Sequence, residues 1–264
     1  MSGFSNVPTA LVTGASSGIG AVYAERLAAR GHDLLLVARD RQRLEALADD
    51  LQARHGVNVE VLPADLAKAG DLERIEQRLR SDEAIGVLVN NAGIAMHGTL
   101  AEATPAQIES LVALNIVAVT RLASAAAAQF GHAGRGTIIN LASVVALAPE
   151  MFNAVYSASK AYVLSLTQTL QGELKDKGVQ VQAVLPGVTR TEIWERSGLD
   201  VAHIDPRMVM EVTEMVDAAL SGLESKERVT IPSLPDAAHW EAFIRARDAL
   251  GPNLSRSSAA ARYK

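Results

Sequence analysis

The sequence lacks cysteine altogether and has no histidine pattern suited to a metal. None of the 264 residues is cysteine, which excludes a disulfide framework and thiolate chemistry. That absence is what a cytoplasmic protein would show. The six histidines are scattered along the chain with no HxH or HxxxH spacing. We therefore expect no metal site.

Long apolar runs and concentrations of positive charge are also missing. The first residues, MSGFSNVPTALV, do not show a basic region followed by an apolar run, so we expect no secretory signal. We see no stretch long and apolar enough to cross a membrane, and so expect no membrane partner. The net charge is −5 with no basic stripe, which argues against a nucleic-acid partner.

Size and composition are those of a globular protein. Apolar residues make up 48% of the chain and charged residues 21%. A chain of 264 residues can form one domain with a full core, or two small ones. Because we see no linker and no internal repeat, we predict one domain over 1–264, with a substrate loop at about 187–212 and a tail over 253–264 that is either mobile or held by a partner subunit.

Short apolar runs alternate with amphipathic segments. This alternation predicts an α/β fold, in which a doubly wound parallel sheet (a Rossmann fold) lies between helical layers as α/β/α. The predicted strands are 9–13, 33–38, 59–66 (running into a loop), 87–93, 136–143, 179–187 and 228–233. The main predicted helices are 18–30, 41–55, 104–130 and 153–177, and 189–223 is helical and rich in loops.

A glycine-rich turn follows the first predicted strand. TGASSGIG (13–20) places three glycines between a strand and a helix. A dinucleotide pyrophosphate needs close backbone approach and free N–H groups at a helix N-terminus, and glycine allows both. The spacing is GxxxGxG rather than the common GxGxxG. A tight turn without ligand is the alternative, but this context favours a nucleotide.

Tyr156 and Lys160 are separated by three small residues in AVYSASKAY (154–162). On a helix they share one face, about 5–6 Å apart at Cβ. A free phenol has a pKa near ~10, and a nearby ammonium lowers it. The pair is therefore a candidate general acid/base. An exposed surface pair is the alternative.

Together these features resemble the short-chain dehydrogenase/reductase family, in its compact single-domain branch. TGASSGIG resembles the family's cofactor turn and NNAG (90–93) its second signature. Ser143 lies 13 residues before Tyr156, as in the Ser…Tyr-x-x-x-Lys arrangement. PGVTRT (186–191) resembles the segment beside the nicotinamide. The resemblance covers the chain to about Thr191.

The resemblance implies hydride transfer between a nicotinamide cofactor and a carbonyl or alcohol. It implies that Tyr156 protonates the alkoxide, Ser143 hydrogen-bonds the same oxygen, and Lys160 binds the nicotinamide ribose and lowers the pKa of Tyr156. Asn115 would hold a water linking Lys160 to solvent. The implied cofactor-binding residues, besides Tyr156 and Lys160, are Gly14, Ser16, Ser17, Gly18, Ile19, Gly20, Arg39, Asp65 (to the adenine), Leu66, Asn91, Ala92, Gly93 (beside the ribose), Pro186, Gly187, Val188 and Thr191. Asn90 is expected to be structural, bridging neighbouring strands.

The end of the second strand predicts NADP(H) over NAD(H). An NAD-selective site has an acidic residue there, and that carboxylate repels a 2′-phosphate. Here the residue is Ala38, and Arg39 follows with a guanidinium suited to phosphate. Arg41 and Arg43 are further candidates, or they face solvent. Asp40 could draw Arg39 into a local ion pair and away from the phosphate. Ser17 stands where many NADP-binding members of the family have a second basic residue. We therefore expect a preference for NADP(H) rather than strict selectivity.

The residues that could line a substrate site are mostly apolar, which predicts a mainly hydrophobic carbonyl or alcohol as substrate. The candidate lining residues are Ile94, Met96, Met151, Phe152, Ile193, Trp194 and Met208, and each could equally be core. His97 could contact substrate, although a solvent-facing loop histidine is the favoured interpretation.

Two alternatives stay open. In a 3-oxoacyl carrier-protein reductase the last strand is typically followed by a VDGG-like segment, whereas here it leads into IPSLPDAAHWEAF (231–243). A non-catalytic nucleotide sensor typically lacks the tyrosine that this chain retains. The small residues ASAAAAQF (123–130) permit close helix approach, and the resemblance implies pairing across a two-fold axis. We expect a homodimer or homotetramer.

Overall fold

A parallel sheet of seven strands organises the chain. The structure is a computed structural model that describes residues 7–197 and 204–264. The strand order is β3-β2-β1-β4-β5-β6-β7, with every neighbouring pair parallel. The predicted doubly wound sheet is confirmed. The strands are β1 (Thr9–Thr13), β2 (Leu34–Ala38), β3 (Val59–Pro63), β4 (Ile85–Asn90), β5 (Gly136–Leu141), β6 (Val179–Val184) and β7 (Val229–Thr230).

Helices cover both faces of this sheet and give the predicted three layers. One buried cluster joins α1, α2 and α8 to the sheet, and a second joins α3, α5 and α6 to its other face. Because both faces are buried, β1, β2 and β4 consist almost wholly of buried residues. The helices are α1 (Gly18–Ala29), α2 (Arg41–His55), α3 (Ala69–Ser81), α4 (Pro105–Val112), α5 (Val119–Ala133), α6 (Ala154–Glu173), α7 (Ile193–Arg196), α8 (Val212–Glu224) and α9 (Ala237–Asp248).

The predicted helix over 104–130 contains a π-helical segment. Thr104 caps α4 through a capping box with Gln107, and Pro105 occupies the first turn, as the sequence indicates. The π segment Ala113–Ala118 then joins α4 to α5 without a break. Single π turns inside helices are frequent at functional sites. This one contains Asn115.

The same continuous helix is long and apolar enough to cross a membrane, which the sequence analysis did not expect. Pro105–Ala133 covers 29 residues, and its most apolar 18-residue window has a mean hydropathy of 1.8. By length and composition, the expectation that no stretch could cross a membrane was therefore wrong. The many alanines of this helix raise its mean hydropathy. Leu122, Ala126 and Phe130 pack against the sheet, and 44% of the window is buried within the chain. A core helix passes the same test, so the finding is weak support for a membrane segment.

By its contacts the chain forms two units, Met1–Pro232 and Ser233–Lys264. The first contains the whole sheet. The second, which we call the C-terminal arm, consists of α9 and two short 3-10 turns, Gly251–Asn253 and Ala261–Tyr263. The single-domain interpretation of 1–264 remains a prediction.

The strand order reverses between β1 and β4, and this places the site. In open parallel sheets a crevice opens at such a reversal, outside the carboxyl ends of the strands. The glycine turn follows β1 there, and NNAG begins at the last residue of β4.

Candidate active site

A cavity of about 620 Å³ lies at the carboxyl ends of the strands. It brings together most of the residues that the sequence analysis singles out. Lining it are Gly14, Ser16, Ser17, Gly18, Ile19, Arg39, Asp65, Leu66, Asn91, Ala92, Gly93, Ser143, Tyr156, Lys160, Pro186, Gly187 and Thr191. Gly20, Asn115 and Val188 do not line it.

The glycine turn at one end of the cavity leaves room for a phosphate. Gly14 and Gly18 have φ angles of +66° and +54°, which side chains rarely adopt. A Cβ on Gly20 would collide with the Gly14 carbonyl oxygen, which explains a glycine that does not itself line the cavity. Ser17, the N-cap of α1, makes no side-chain capping bond. The first turn of α1 therefore keeps unpaired N–H groups for an anion, as a dinucleotide pyrophosphate requires.

Thr13 and Asn91 fix this turn against β4. The Thr13 hydroxyl accepts from the N–H groups of Asn91 and Ala92 at 2.9 and 3.0 Å. The Asn91 amide donates to the Thr13 carbonyl at 2.8 Å and lies 3.3 Å from the Gly14 carbonyl. Asn91 thus positions the turn as well as lining the cavity. The role of Thr13 was missed, because a buried strand threonine carries no signal in one sequence. Asn90 donates to Asn140 across β4 and β5 at 2.9 Å, as expected of a structural residue.

Tyr156 and Lys160 lie in the first two turns of α6 and are buried. Asn153 caps this helix by accepting from the N–H groups of Val155 and Tyr156. The Lys160 ammonium lies 5.6 Å from the centre of the Tyr156 ring. It also donates to the Leu141 carbonyl at 2.8 Å, a partner that sequence reasoning could not identify because it is backbone. The exposed surface pair is therefore excluded.

Ser143 stands beside Tyr156 at the end of β5. Its hydroxyl donates to the Pro186 carbonyl at 3.3 Å and accepts from the Val145 N–H at 3.4 Å. A hydrogen bond between Ser143 and Tyr156 lowers the pKa of the phenol. The two hydroxyls can therefore hold one substrate oxygen between them.

Burial shifts both ionisable groups, and one of the two pKa changes corrects an expectation. Desolvation raises the pKa of Tyr156 to about 12 and outweighs the opposing hydrogen bond from Ser143. The sequence led us to expect a lowered pKa, because the neighbouring ammonium was visible in the spacing and the burial was not. Burial lowers the pKa of Lys160 to about 8. At neutral pH Tyr156 is protonated and can donate a proton.

Asn115 lies in the π segment and connects two parts of the site. Its amide oxygen accepts from the Ile94 N–H at 2.9 Å and its amide nitrogen donates to the Ile94 carbonyl at 2.9 Å. The nitrogen also lies 3.2 Å from the Ser159 hydroxyl, which donates to the Tyr156 carbonyl. Asn115 thus ties the loop after β4 to α6. The water-holding role implied for it stays a prediction.

Three aromatic rings, Phe152, Tyr156 and Trp194, pack together beside the site as an aromatic wall, and two of them, Tyr156 and Trp194, line the cavity. Phe152 packs edge-on against Tyr156 at 5.3 Å and against Trp194 at 5.8 Å between ring centres. The indole N–H of Trp194 donates to the Thr189 carbonyl at 2.8 Å. This bond pairs the one polar atom of the Trp194 side chain, so Trp194 lines the cavity as an apolar group.

The other substrate candidates separate into three groups. Ile94, Ile193 and Trp194 line the cavity. Met96 is buried in the core cluster that also contains Tyr156. Met151 and Met208 are 60% and 57% exposed. His97 is exposed, as the favoured interpretation has it. Within the predicted loop, residues 198–203 lie outside the described part of the chain.

At the carboxyl end of β2, Arg39 lines the cavity and is exposed. Asp40 does not hold it, because Asp40 caps α2 by accepting from the Arg43 N–H at 3.0 Å. The Arg43 guanidinium reaches across to Glu192, 2.9 Å away, in the segment after β6. Arg41 pairs with Glu45 on its own helix. Arg39 is therefore the basic side chain best placed for a 2′-phosphate, and the Arg43–Glu192 bridge was not foreseen.

The chain is similar in sequence and structure to known dehydrogenases. The family model described as short chain dehydrogenase matches residues 8–202. A short-chain dehydrogenase from Sphingobium yanoikuyae, solved in complex with NADPH, is 53% identical; the match covers 98% of this chain and all of that one, with a TM-score of 0.95. A bulky-bulky ketone specific alcohol dehydrogenase from Comamonas testosteroni is 47% identical over 98% and 99% of the two chains, with a TM-score of 0.90.

A curated relative is more distant. The human 17-beta-hydroxysteroid dehydrogenase type 3 is 35% identical over 184 residues, which is 69% of this chain. The match spans 59% of that protein's length.

Proposed function

The chain belongs to the short chain dehydrogenase family, and from this premise we propose that it is an NADP(H)-dependent oxidoreductase that interconverts bulky apolar ketones and secondary alcohols. The observation that carries the proposal is the single cavity that joins the uncapped end of α1, Arg39, and the buried Ser143, Tyr156 and Lys160. The NADPH complex of the Sphingobium relative supports the cofactor.

Some residues of the cavity would bind the cofactor, and others would transfer the proton. A nicotinamide cofactor, when bound, supplies or accepts the hydride. The glycine turn and α1 would hold the pyrophosphate, and Arg39 the 2′-phosphate. Tyr156, protonated at neutral pH, would donate its hydroxyl proton to the substrate oxygen, while Ser143 stabilises the negative charge developing there. Lys160 would orient the cofactor ribose and balance the charge of the phenolate.

The aromatic wall supports the substrate class. Ile94, Ile193 and Trp194 give apolar surface to the cavity that Tyr156 lines, and Phe152 packs edge-on against Tyr156 and Trp194. Such a wall gains most from a substrate with large apolar groups, since burial stabilises by about 25 cal/mol per Å². The specificity named for the Comamonas relative, bulky-bulky ketones, points the same way.

A substrate panel tests the proposal. We expect kcat/KM with NADPH to rise from propanone through aryl alkyl ketones to ketones with two large groups, by about tenfold or more overall, because each added buried group contributes roughly 1 kcal/mol or more. The measurement is the initial rate of NADPH oxidation at fixed ionic strength. A 3-oxoacyl thioester and a 17-ketosteroid belong in the panel. Preference for the thioester would replace this substrate class, and no turnover with any carbonyl would favour the nucleotide sensor.

Arg39→Ala tests the cofactor preference. We expect the ratio of kcat/KM for NADPH to that for NADH to fall about tenfold or more, because charge-assisted bonds to phosphate contribute roughly 1.5–3 kcal/mol. Rates with NADH should change little. The matched control is Arg54→Ala, at the far end of α2, where the guanidinium pairs with Asp50. An unchanged ratio in Arg39→Ala would refute the assignment of Arg39.

A further inference from the structure

An ion pair joins two distant parts of the sheet above the candidate cavity. The Arg43 guanidinium, in the first turn of α2, donates to both carboxylate oxygens of Glu192 at 3.0 and 2.9 Å. Arg43 follows β2 in the chain and Glu192 follows β6, and three strands, β1, β4 and β5, lie between them in the sheet. Neighbouring strands lie about 4.8 Å apart, so β2 and β6 are roughly 19 Å apart. The chain between β6 and the bridge must therefore cross the carboxyl ends of the strands between them.

The segment 189–194 makes this crossing. At its start, a parallel bridge between Thr189 and Met210 fixes it to the chain before α8. A Cβ on Gly18 would lie 3.2 Å from the Thr191 methyl carbon, so the segment passes close to the first residue of α1. Its next residues line the cavity, and they are Thr191, Glu192, Ile193 and Trp194. The segment therefore borders the path that a dinucleotide takes past the glycine turn.

The segment is held from both sides of the cavity. Trp194 packs edge-on against Phe152, just before α6, at 5.8 Å between ring centres. Two residues earlier, Glu192 reaches Arg43 on the side of α2. Asp40 supports that contact, because its carboxylate accepts from the Arg43 N–H at 3.0 Å and lies 3.5 Å from the guanidinium. Since two carboxylates hold this guanidinium, Arg43 is better placed to anchor the segment than to bind a phosphate.

We propose that the Arg43–Glu192 bridge fastens segment 189–194 over a bound dinucleotide and sets the rate at which NADP(H) enters and leaves. The inference rests on the proposed function, because it requires a dinucleotide that runs from Arg39 past Gly18 towards Tyr156. The two bridging side chains are 47% and 41% exposed. Exposed ion pairs are weak, so this one can open in each turnover and slow release without preventing it. Neither side chain acts on the reacting atoms, and both are positioning residues.

The rate of cofactor dissociation tests the bridge. Dissociation of NADPH is followed in a stopped-flow instrument by its loss of fluorescence when excess NADP⁺ replaces it, in Arg43→Gln, Glu192→Gln and the double variant. We expect the product of the two single-variant increases to exceed the increase in the double variant by about threefold, a factor within the range of exposed ion pairs. The matched control is Glu45→Gln, which breaks an exposed arginine bridge within α2 and should leave the rate unchanged. Single effects that simply multiply would overturn the proposal.

The same measurements with NADH separate the bridge from a phosphate contact. The bridge covers the dinucleotide and makes no use of the 2′-phosphate, so we expect a coupling of similar size with NADH. Coupling with NADPH alone would assign Arg43 to the 2′-phosphate and contradict the proposal. A wild type that binds neither nucleotide would refute the proposed function itself, whereas binding without coupling refutes the bridge alone.

A covalent link tests the covering geometry independently of the strength of the ion pair. Because the chain has no cysteine, the double variant Arg43→Cys, Glu192→Cys contains two thiols, which a short bis-maleimide joins after NADPH has bound. We expect NADPH to leave the joined protein about tenfold or more slower than it leaves the same protein capped with N-ethylmaleimide, because exit requires the segment to move. Equal rates, or thiols that do not join, would overturn the proposal.

Discussion

Tyr156→Phe is expected to lower kcat by about 10²-fold or more while leaving NADPH binding within about twofold of wild type, because the substitution removes a general acid and keeps the ring. The ring packs edge-on against Phe152 at 5.3 Å, so the aromatic wall should survive the substitution. The measurement is kcat for ketone reduction, with the dissociation constant of NADPH measured separately by fluorescence.

The chain provides a matched control on the same helix. Tyr162, six residues further along α6, is 38% exposed and shares a hydrogen bond with Thr120 at 2.9 Å. Tyr162→Phe should leave kcat unchanged. Near-normal turnover in a correctly folded Tyr156→Phe protein would remove Tyr156 from the mechanism.

Lys160→Met is expected to abolish most activity and to make the cofactor-free protein more stable at pH 7. Loss of the ammonium should lower kcat/KM by about 10²-fold or more, since Lys160 is assigned both ribose binding and support of Tyr156. The stability gain arises because burial lowers the pKa of Lys160 from 10.5 to about 8. Each unit by which burial lowers the pKa of Lys160 costs the folded protein roughly 1.36 kcal/mol at pH 7, and Lys160→Met removes that cost. The substitution also removes the hydrogen bond to the Leu141 carbonyl, which offsets part of the gain. A net gain of about 1–2 kcal/mol in the free energy of unfolding follows from these two opposing effects.

The pH dependence fixes the sign of this second prediction. The folded-state pKa of Lys160 lies below the unfolded value, so between pH 8 and 10.5 the unfolded chain binds more protons. The stability of wild type relative to Lys160→Met should therefore rise across that window and be lowest below pH 8. Chemical denaturation at several pH values measures it. Lys175→Met is the control, since Lys175 is a surface lysine whose side chain is 64% exposed. A less stable Lys160→Met protein at pH 7 would contradict the account.

The elements of the fold could be predicted because their patterns are local. Buried parallel strands are continuous apolar runs, and helix starts such as Thr104-Pro105 carry their own capping chemistry. The strands predicted over 87–93, 136–143 and 179–187 end earlier, at Asn90, Leu141 and Val184, and most of the residues that follow them line the cavity. The π segment around Asn115 depends on packing between the loop after β4 and α6, which the local sequence does not report.

The candidate site was predictable in its residue types and not in its electrostatics. The glycine turn and the Tyr156–Lys160 pair were indicated by their spacing, and the resemblance to the family added Ser143 and supported all three. The raised pKa of Tyr156 depends on how completely the fold removes water from the phenol. Likewise the Arg43–Glu192 bridge joins residues 149 positions apart, and the Lys160 bond ends on a backbone carbonyl. Contacts of that kind leave no signature in one sequence.

A single-turnover experiment tests the central claim, that one cavity binds NADPH and delivers its hydride to a bulky ketone beside Tyr156. Wild type in excess is mixed with NADPH and a ketone carrying two large apolar groups, and reduced-nicotinamide absorbance is followed. The account predicts full conversion of NADPH, with the transfer slowed by deuterium on the transferring carbon and slowed by about 10²-fold or more in Tyr156→Phe. NADPH that binds and is not consumed, or a transfer rate equal in wild type and Tyr156→Phe, would contradict it.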